Sequence, residues 1–172
     1  MQRLTGDEIK RSFANSSRSR VKAMTPPVGL AELDWESHDY LGWRDAKAPG
    51  RAYLVTPHGS DVVGLELAAP TSTDPRRGTG LCELCRSAHP ADGVNLFVAR
   101  KTGAAGRQGD SVGTYICADL ACSLYVRGLR KPELPQRESL GTPERIERLR
   151  NRLAAFVERA LDGRLNQRTF VK

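Results

Sequence analysis

The 172-residue sequence predicts an α+β fold, in which a small mixed antiparallel sheet is flanked by helices. Short apolar segments separated by Gly and Pro turns indicate antiparallel strands. One long segment near the C-terminal end has the apolar period of a helix. Four cysteines form two close pairs, Cys82-x2-Cys85 and Cys117-x4-Cys122, and such pairs are typical of a small metal-stabilised finger.

The N-terminal part is predicted to contain a short helix and then an aromatic segment. Residues 5–17 form the helix, because Thr5 and Glu8 can make a capping box at its start. Its basic face is either a solvated surface or a contact for RNA or a partner. Residues 30–50 follow, and we expect their aromatic side chains to be buried together rather than exposed as a docking patch. These side chains are Trp35, Tyr40 and Trp43.

Two strands and a connection are predicted next. The strands are Arg51–Pro57 and Asp61–Ala69, and a turn at His58-Gly59-Ser60 joins them. Apolar residues alternate along the second strand, which predicts one buried face. These residues are Val63, Leu65 and Leu67. The polar, Pro- and Gly-rich segment Pro70–Gly80 then connects the two halves of the chain.

The cysteine-containing region is predicted to follow the order knuckle, hairpin, helix. Leu81–Pro90 carries the first cysteine pair on a tight turn. Asn95–Arg100 and Val112–Cys117 form the hairpin, and a helix begins after Cys117. The tip, Lys101–Ser111, is rich in glycine and basic residues, so we expect it to protrude as a mobile binding loop or as a plain flexible one. This order is that of a treble-clef finger.

A long amphipathic helix is predicted to pack against the sheet. Thr142 caps it, Pro143 lies in its first turn and Gly163 ends it. Its apolar stripe consists of Ile146, Leu149, Leu153, Phe156 and Ala160.

The chain divides into parts that we expect to form one domain. Residues 1–70 hold the N-terminal helix and hairpin, and residues 71–80 are the connection. Residues 81–163 hold the finger with its packing helix, and residues 164–172 form a tail.

The spacing of the cysteines favours one structural Zn²⁺ ion bound by four thiolates. The predicted ligands are Cys82, Cys85, Cys117 and Cys122. Two disulfides or a redox pair are the alternatives, and His89 could replace one cysteine as a ligand. Four thiolates fill the coordination shell, and no nucleophile, phosphate-binding or metalloprotease motif is present, so we expect no enzymatic activity.

Charge and hydropathy narrow the class of partner. The net charge is +7 and the pI is about 9.6, which favours an acidic protein surface or RNA, although a zinc–tetrathiolate centre would balance part of the excess. We find neither a signal-peptide pattern nor an apolar segment long enough to span a membrane, so we expect a cytoplasmic protein without a membrane or small-molecule ligand.

The residues also resemble a known family. The motifs that show this resemblance are Cys82-x2-Cys85, Tyr115-Ile116-Cys117-x4-Cys122-Ser123, Leu41-Gly42-Trp43-Arg44-Asp45 and Arg51-Ala52-Tyr53-Leu54. Together with the C-terminal helix they are similar to the FusB-type elongation-factor-G-binding proteins associated with fusidic-acid resistance, over about residues 5–163. The resemblance implies a treble-clef zinc finger of the FBP type.

The resemblance further implies that the partner is elongation factor G, which the finger would grip and help to release from the ribosome. The alternative is a zinc-stabilised basic module that binds ribosomal or other RNA. Residues near the cysteines and at the hairpin tip are the candidate partner contacts. They are Glu83, Leu84, Arg86, Arg100, Lys101, Arg107 and Tyr115.

Overall fold

The computed structural model describes residues 1–71 and 78–161 and confirms an α+β architecture. All strand pairs are antiparallel. The helices are α1 (Gly6–Ser12), α2 (Arg18–Lys22), α3 (Gly103–Arg107), α4 (Cys122–Val126) and α5 (Thr142–Ala160). The strands are β1 (Leu41–Arg44), β2 (Arg51–His58), β3 (Asp61–Ala68), β4 (Thr79–Leu81), β5 (Ala88–Pro90), β6 (Val94–Arg100) and β7 (Ser111–Cys117). The main sheet has the order β1-β2-β3-β6-β7, and β4 pairs with β5 in a small second sheet.

The predicted hairpin of β2 and β3 is confirmed, and its turn needs a glycine because Gly59 has a φ of +61°. The sequence analysis missed β1, which adds to the free edge of β2. A four-residue strand that contains Gly42 has too short a pattern to be recognised.

Two apolar clusters lie on opposite faces of β2. Ala52 and Leu54 face the first, and Tyr53 and Val55 face the second. The first, the central core, also contains Leu65, Leu67, Phe97, Ile116, Leu149, Phe156 and all four cysteines. The second, the tryptophan cluster, consists of Leu4, Ile9, Met24, Trp35, Leu41, Trp43, Tyr53 and Val55. The predicted burial of both tryptophans is confirmed, whereas Tyr40 belongs to the central core.

The first predicted helix is interrupted. The capping box of Thr5 and Glu8 is present. Helix α1 nevertheless ends at Ser12, because Phe13 adopts an extended conformation and forms a β-bridge with Gly64 in β3. Asn15 then fills the gap where β3 separates from β6. Its side-chain amide accepts from the backbone N–H of Glu66 at 2.8 Å and donates to the carbonyls of Glu66 and Arg100 at 3.0 and 2.9 Å.

The hairpin tip is ordered, contrary to the mobile loop we expected. It contains α3, and Arg100 donates through Nε to the carbonyl of Gly106 at 2.5 Å. Thr102 donates from its backbone N–H to Ala160 and from its hydroxyl to Leu161, both at 2.9 Å. The tip is therefore fastened to the end of α5.

Helix α5 carries the predicted apolar stripe toward the central core. Leu149, Leu153, Phe156 and Ala160 are buried, while Ile146 is half-buried. The predicted cap was wrong, because Gly141 is the N-cap residue and Thr142 is the first residue of the helix. The helix ends at Ala160, and Gly163 lies outside the described residues. Within residues 1–71 and 78–161, no helix is both long and apolar enough to cross a membrane.

Candidate metal centre

The four cysteines lie together beside the end of β7, with their sulfur atoms all within 4.8 Å of one another. The Sγ atoms of Cys82 and Cys122 are 3.6 Å apart, and those of Cys85 and Cys117 are 3.4 Å apart. In a tetrahedral site with Zn–S bonds of about 2.3 Å, neighbouring sulfurs lie about 3.8 Å apart. The donor set therefore fits a tetrahedral zinc site.

Disulfides do not account for this arrangement. A disulfide requires an S–S distance of about 2.05 Å, and all four cysteines are free thiols with wider separations. Burial raises the pKa of the Cys122 thiol well above its usual value, and the neighbouring sulfurs raise it further. A cation bound among the four buried sulfurs would offset the cost of ionising them, which is the role of a structural metal.

Two tight turns position the sulfurs. In the first, β4 and β5 bring the chain back on itself, and Arg86 closes the knuckle with a φ of +64°. The backbone N–H of Cys85 points to Cys82 Sγ at 3.5 Å. In the second, Leu120 has a φ of +58° and donates to the carbonyl of Cys117, so the chain turns from β7 into α4 at Cys122. The order knuckle, hairpin, helix is thus as predicted.

Arginines of α5 fasten the finger through backbone carbonyls. Arg148 donates to Cys85 at 3.3 Å, Arg152 to Glu83 at 2.9 Å and Arg145 to the carbonyl of Tyr125 at 2.7 Å. These guanidinium groups place positive charge beside the cysteines. They would partly balance the net negative charge of four thiolates bound to Zn²⁺.

Two further polar side chains border the cysteines. Neither of these positions was predicted from the sequence. His89, considered only as a substitute ligand, lies with Nε2 3.6 Å from Cys117 Sγ. Tyr40 is 1% exposed and lies in the same core as the cysteines. No local pattern marks either residue, because each reaches the site through long-range packing.

The candidate partner contacts divide into two groups. Glu83 and Tyr115 are exposed beside the knuckle, and Arg86 is half-buried there. Leu84 is only 1% exposed and packs in the central core, so it offers no surface to a partner. Arg100, Lys101 and Arg107 lie at the tip, about 20 Å from the cysteines along seven-residue strands.

Tyr115, a predicted partner contact, has an exposed apolar neighbour on the hairpin that was not predicted. Leu96 in β6 lies directly opposite Tyr115 in β7, and the two residues are 40% and 45% exposed. Leu81 on the knuckle is also 40% exposed. An alternating strand pattern does not predict two apolar side chains on the solvent face, so only the structure reveals that Leu96 lies beside Tyr115 there.

A comparison with known protein families agrees with the metal centre. No curated protein is similar in sequence to this chain. A similar solved structure, described as that of the fusidic acid resistance protein FusC, is 19% identical with a TM-score of 0.49 over 88% of this chain and 62% of that one. This chain therefore spans less than two thirds of the length of FusC. The model of the FBP C-terminal treble-clef zinc-finger family matches residues 8–160, and the chain belongs to this family.

Proposed function

We propose that the protein binds translation elongation factor G through its zinc-stabilised finger and promotes release of the factor from the ribosome. The family membership and the sequence motifs favour this partner. The observation that carries the proposal is the exposed pair of Leu96 and Tyr115 on a hairpin that ends at the cysteine cluster.

The pair is suited to a protein interface because it is apolar, partly aromatic and held rigidly. Aromatic side chains supply much of the binding energy at protein interfaces. Glu83 supports the strand beneath Tyr115, since its backbone N–H donates to the Tyr115 carbonyl at 2.8 Å and its carboxylate accepts from the Tyr115 N–H at 3.2 Å. A surface that is already ordered loses little conformational entropy on binding.

The tip offers a second, basic contact. Arg107 is exposed and Lys101 is half-buried, while Arg100 holds the tip in shape through the carbonyls of Gly106 and Arg107. The hairpin would thus present an apolar patch and a positive patch on one rigid body, about 14 Å apart along the strands.

The proposed activity is mechanical rather than chemical. Four thiolates fill a tetrahedral shell and leave no position for a water molecule or a substrate. One zinc ion would therefore hold the finger in its binding shape, and the free energy for releasing the factor would come from binding alone.

Binding is tested by measuring the affinity of the zinc-loaded protein for purified elongation factor G. Tyr115→Ala and Leu96→Ala are expected to weaken the complex by about tenfold or more, because they remove contact area at the centre of the surface. Val28→Ala and Leu129→Ala are matched controls, since these exposed apolar residues, at 98% and 63%, lie off the hairpin. No complex at micromolar concentration would contradict the proposal.

Release is tested separately. Ribosomes carrying the factor trapped by fusidic acid are sedimented with and without the protein, and we expect the protein to move the factor into the supernatant. Chelation of zinc is expected to abolish both capture and release. The protein could instead bind ribosomal RNA with a steep salt dependence and show no binding to elongation factor G. In that case the basic surface is the binding surface.

A further inference from the structure

Thiolates that bind zinc in a buried site need hydrogen-bond donors. Each of the four cysteines is at most 1% exposed, so water cannot solvate the sulfurs. Outer groups that donate to metal ligands tune how strongly the ligands hold the ion. One donor is visible in the backbone, where the N–H of Cys85 points to Cys82 Sγ.

Tyr40 carries a buried hydroxyl group that has no hydrogen-bond partner among the described residues. The Oη atom is buried, and among residues 1–71 and 78–161 no group accepts from or donates to it. Buried hydroxyl groups in native proteins are almost always paired, so a lone one requires an explanation. A phenylalanine at this position would make the same apolar contacts through its ring.

The surroundings of Tyr40 direct it toward Cys122. The backbone N–H of Asp39 donates to Ser123 Oγ at 3.0 Å, which ties the residue before Tyr40 to the residue after Cys122. A Cβ atom placed on Gly42 would lie 2.8 Å from both the Tyr40 ring and Leu120 Cβ, so the ring runs past the turn that leads to Cys122. Tyr40 and Cys122 are 1% and 0% exposed, and both side chains lie in the central core.

His89 occupies the equivalent position beside another ligand. It is 1% exposed, and its Nε2 atom lies 3.6 Å from Cys117 Sγ. Its ring packs on that of Tyr125 in a T-shaped arrangement, with ring centroids 4.9 Å apart. This packing fixes the direction in which the imidazole points.

We infer that Tyr40 and His89 are the outer donors of the zinc site, with Tyr40 Oη–H donating to the Cys122 thiolate and His89 Nε2–H donating to the Cys117 thiolate. Both bonds withdraw charge from sulfur, which makes the thiolates less basic and retains the metal against protons and chelators. Neither bond requires a partner protein, and together they give a role to a hydroxyl group and an imidazole that do not bind the zinc ion themselves.

Tyr40→Phe tests the first donor, because it removes one oxygen atom and keeps the ring. We expect the zinc affinity, measured by competition with a chromogenic chelator, to fall by about tenfold. In the Co²⁺-loaded protein the sulfur-to-metal charge-transfer bands should shift to longer wavelength, since a thiolate without its donor is richer in electrons. Tyr53→Phe is the control, because the Tyr53 hydroxyl donates to Asp45 at 3.0 Å in the tryptophan cluster. It should leave both readouts unchanged.

The opposite result is equally informative. If the Tyr40 hydroxyl has no partner in the loaded protein, Tyr40→Phe removes an unsatisfied buried group, and the zinc affinity stays equal to or rises above that of the parent. That outcome, or an unshifted cobalt spectrum, would overturn the assignment of Tyr40.

A pair of substitutions tests the second donor. His89→Phe removes the N–H and keeps a ring against Tyr125, whereas His89→Gln keeps an N–H donor. We expect His89→Phe to lower the zinc affinity and to shift the cobalt bands, and His89→Gln to recover part of both. Equal losses in the two variants would overturn the assignment of His89 and leave it a packing residue.

Discussion

Asp39 bridges two arginines that lie 88 and 111 residues further along the chain. Its carboxylate, with a side chain 1% exposed, pairs with Arg127 at the end of α4 and with Arg150 in α5. Burial disfavours its charged form, but hydrogen bonds from the two guanidinium groups outweigh burial and hold the pKa of Asp39 below its usual range. A single acidic residue thus ties the finger to its packing helix.

Asp39→Ala should be strongly destabilising, because it leaves Arg127, whose side chain is 13% exposed, without its counter-charge. We expect the free energy of unfolding to fall by about 3–5 kcal/mol, measured by urea titration at pH 7. Asp34→Ala is the control, since Asp34 is exposed and contacts only its local turn, and its effect should stay within about 0.5 kcal/mol. Equal effects of the two substitutions would contradict a structural role for the Asp39 pair.

Asp45 predicts a specific acid sensitivity. Although burial disfavours its ionised form, its carboxylate accepts from Thr25 N–H, Lys47 N–H and Tyr53 Oη, and these bonds lower its pKa to about 2. A lowered pKa in the folded state means that the ionised group contributes stability at higher pH and loses it as the pH falls toward 2.

Asp45→Asn should therefore change the pH profile in a defined way. At pH 6 the variant should be less stable than the parent by about 1–3 kcal/mol, because the new amide group faces hydrogen-bond donors. The difference should narrow between about pH 4 and 2, where the parent protonates this carboxylate. Urea titrations at a series of pH values measure it, and a constant difference down to pH 2 would argue against the lowered pKa.

Among the elements, the hairpin tip differs most from its sequence expectation. Glycines at Gly103, Gly106 and Gly109 suggested mobility, yet Gly106 is required for close packing. A Cβ atom there would lie 1.7 Å from the carbonyl oxygen of Lys101. The glycine thus permits a compact turn instead of flexibility, and composition does not show that the chain folds this closely onto Lys101.

Gly106→Ala should open the tip without disturbing the metal centre. Hydrogen exchange should accelerate at residues 101–110 and at the C-terminal turn of α5, where Thr102 is bound, while zinc content stays at the parental level. Gly6→Ala is the control, because nothing lies within 4 Å of its added Cβ. Unchanged exchange at the tip would show that the turn tolerates the methyl group.

Elements with a strong periodic pattern were predicted well, and those set by distant contacts were not. The strands β2, β3, β6 and β7, helix α5 and the cysteine cluster all follow from spacing that the sequence displays. Distant neighbours determine the break at Phe13, the attachment of the tip through Thr102 and the positions of Tyr40 and His89, whereas β1 is too short to show a pattern. A single sequence without its fold carries no signal for such neighbours.

At the scale of the whole molecule, the metal site and the tryptophans lie in different clusters. The cysteines belong to the central core, whereas Trp35 and Trp43 lie on the other face of β2. Tryptophan emission therefore reports on the part of the protein that is farther from the metal. Hydrogen exchange at the backbone amides of α5 reports on the part of the protein that is closer to the metal.

Cys122→Ser should affect the hydrogen exchange of α5 and the tryptophan emission to different extents. A bound structural zinc ion contributes on the order of 10 kcal/mol in small fingers, so its loss should remove amide protection from residues 82–122 and from α5. Trp35 and Trp43 should keep the emission of buried tryptophan up to a higher urea concentration. A variant that melts like the parent would contradict the metal assignment. Simultaneous loss of both signals would show that the two clusters unfold as one unit.

Strand β2 serves both clusters at once, because its alternate side chains point to opposite faces. Inserting or deleting one residue directly after Arg51 would turn the residues that follow to the opposite face and send Tyr53 toward the cysteines. We therefore expect length variation among natural variants of this chain to be excluded from β2 and concentrated in turns such as Gly59-Ser60. The number of residues in this strand should be as strictly preserved as the four cysteines themselves.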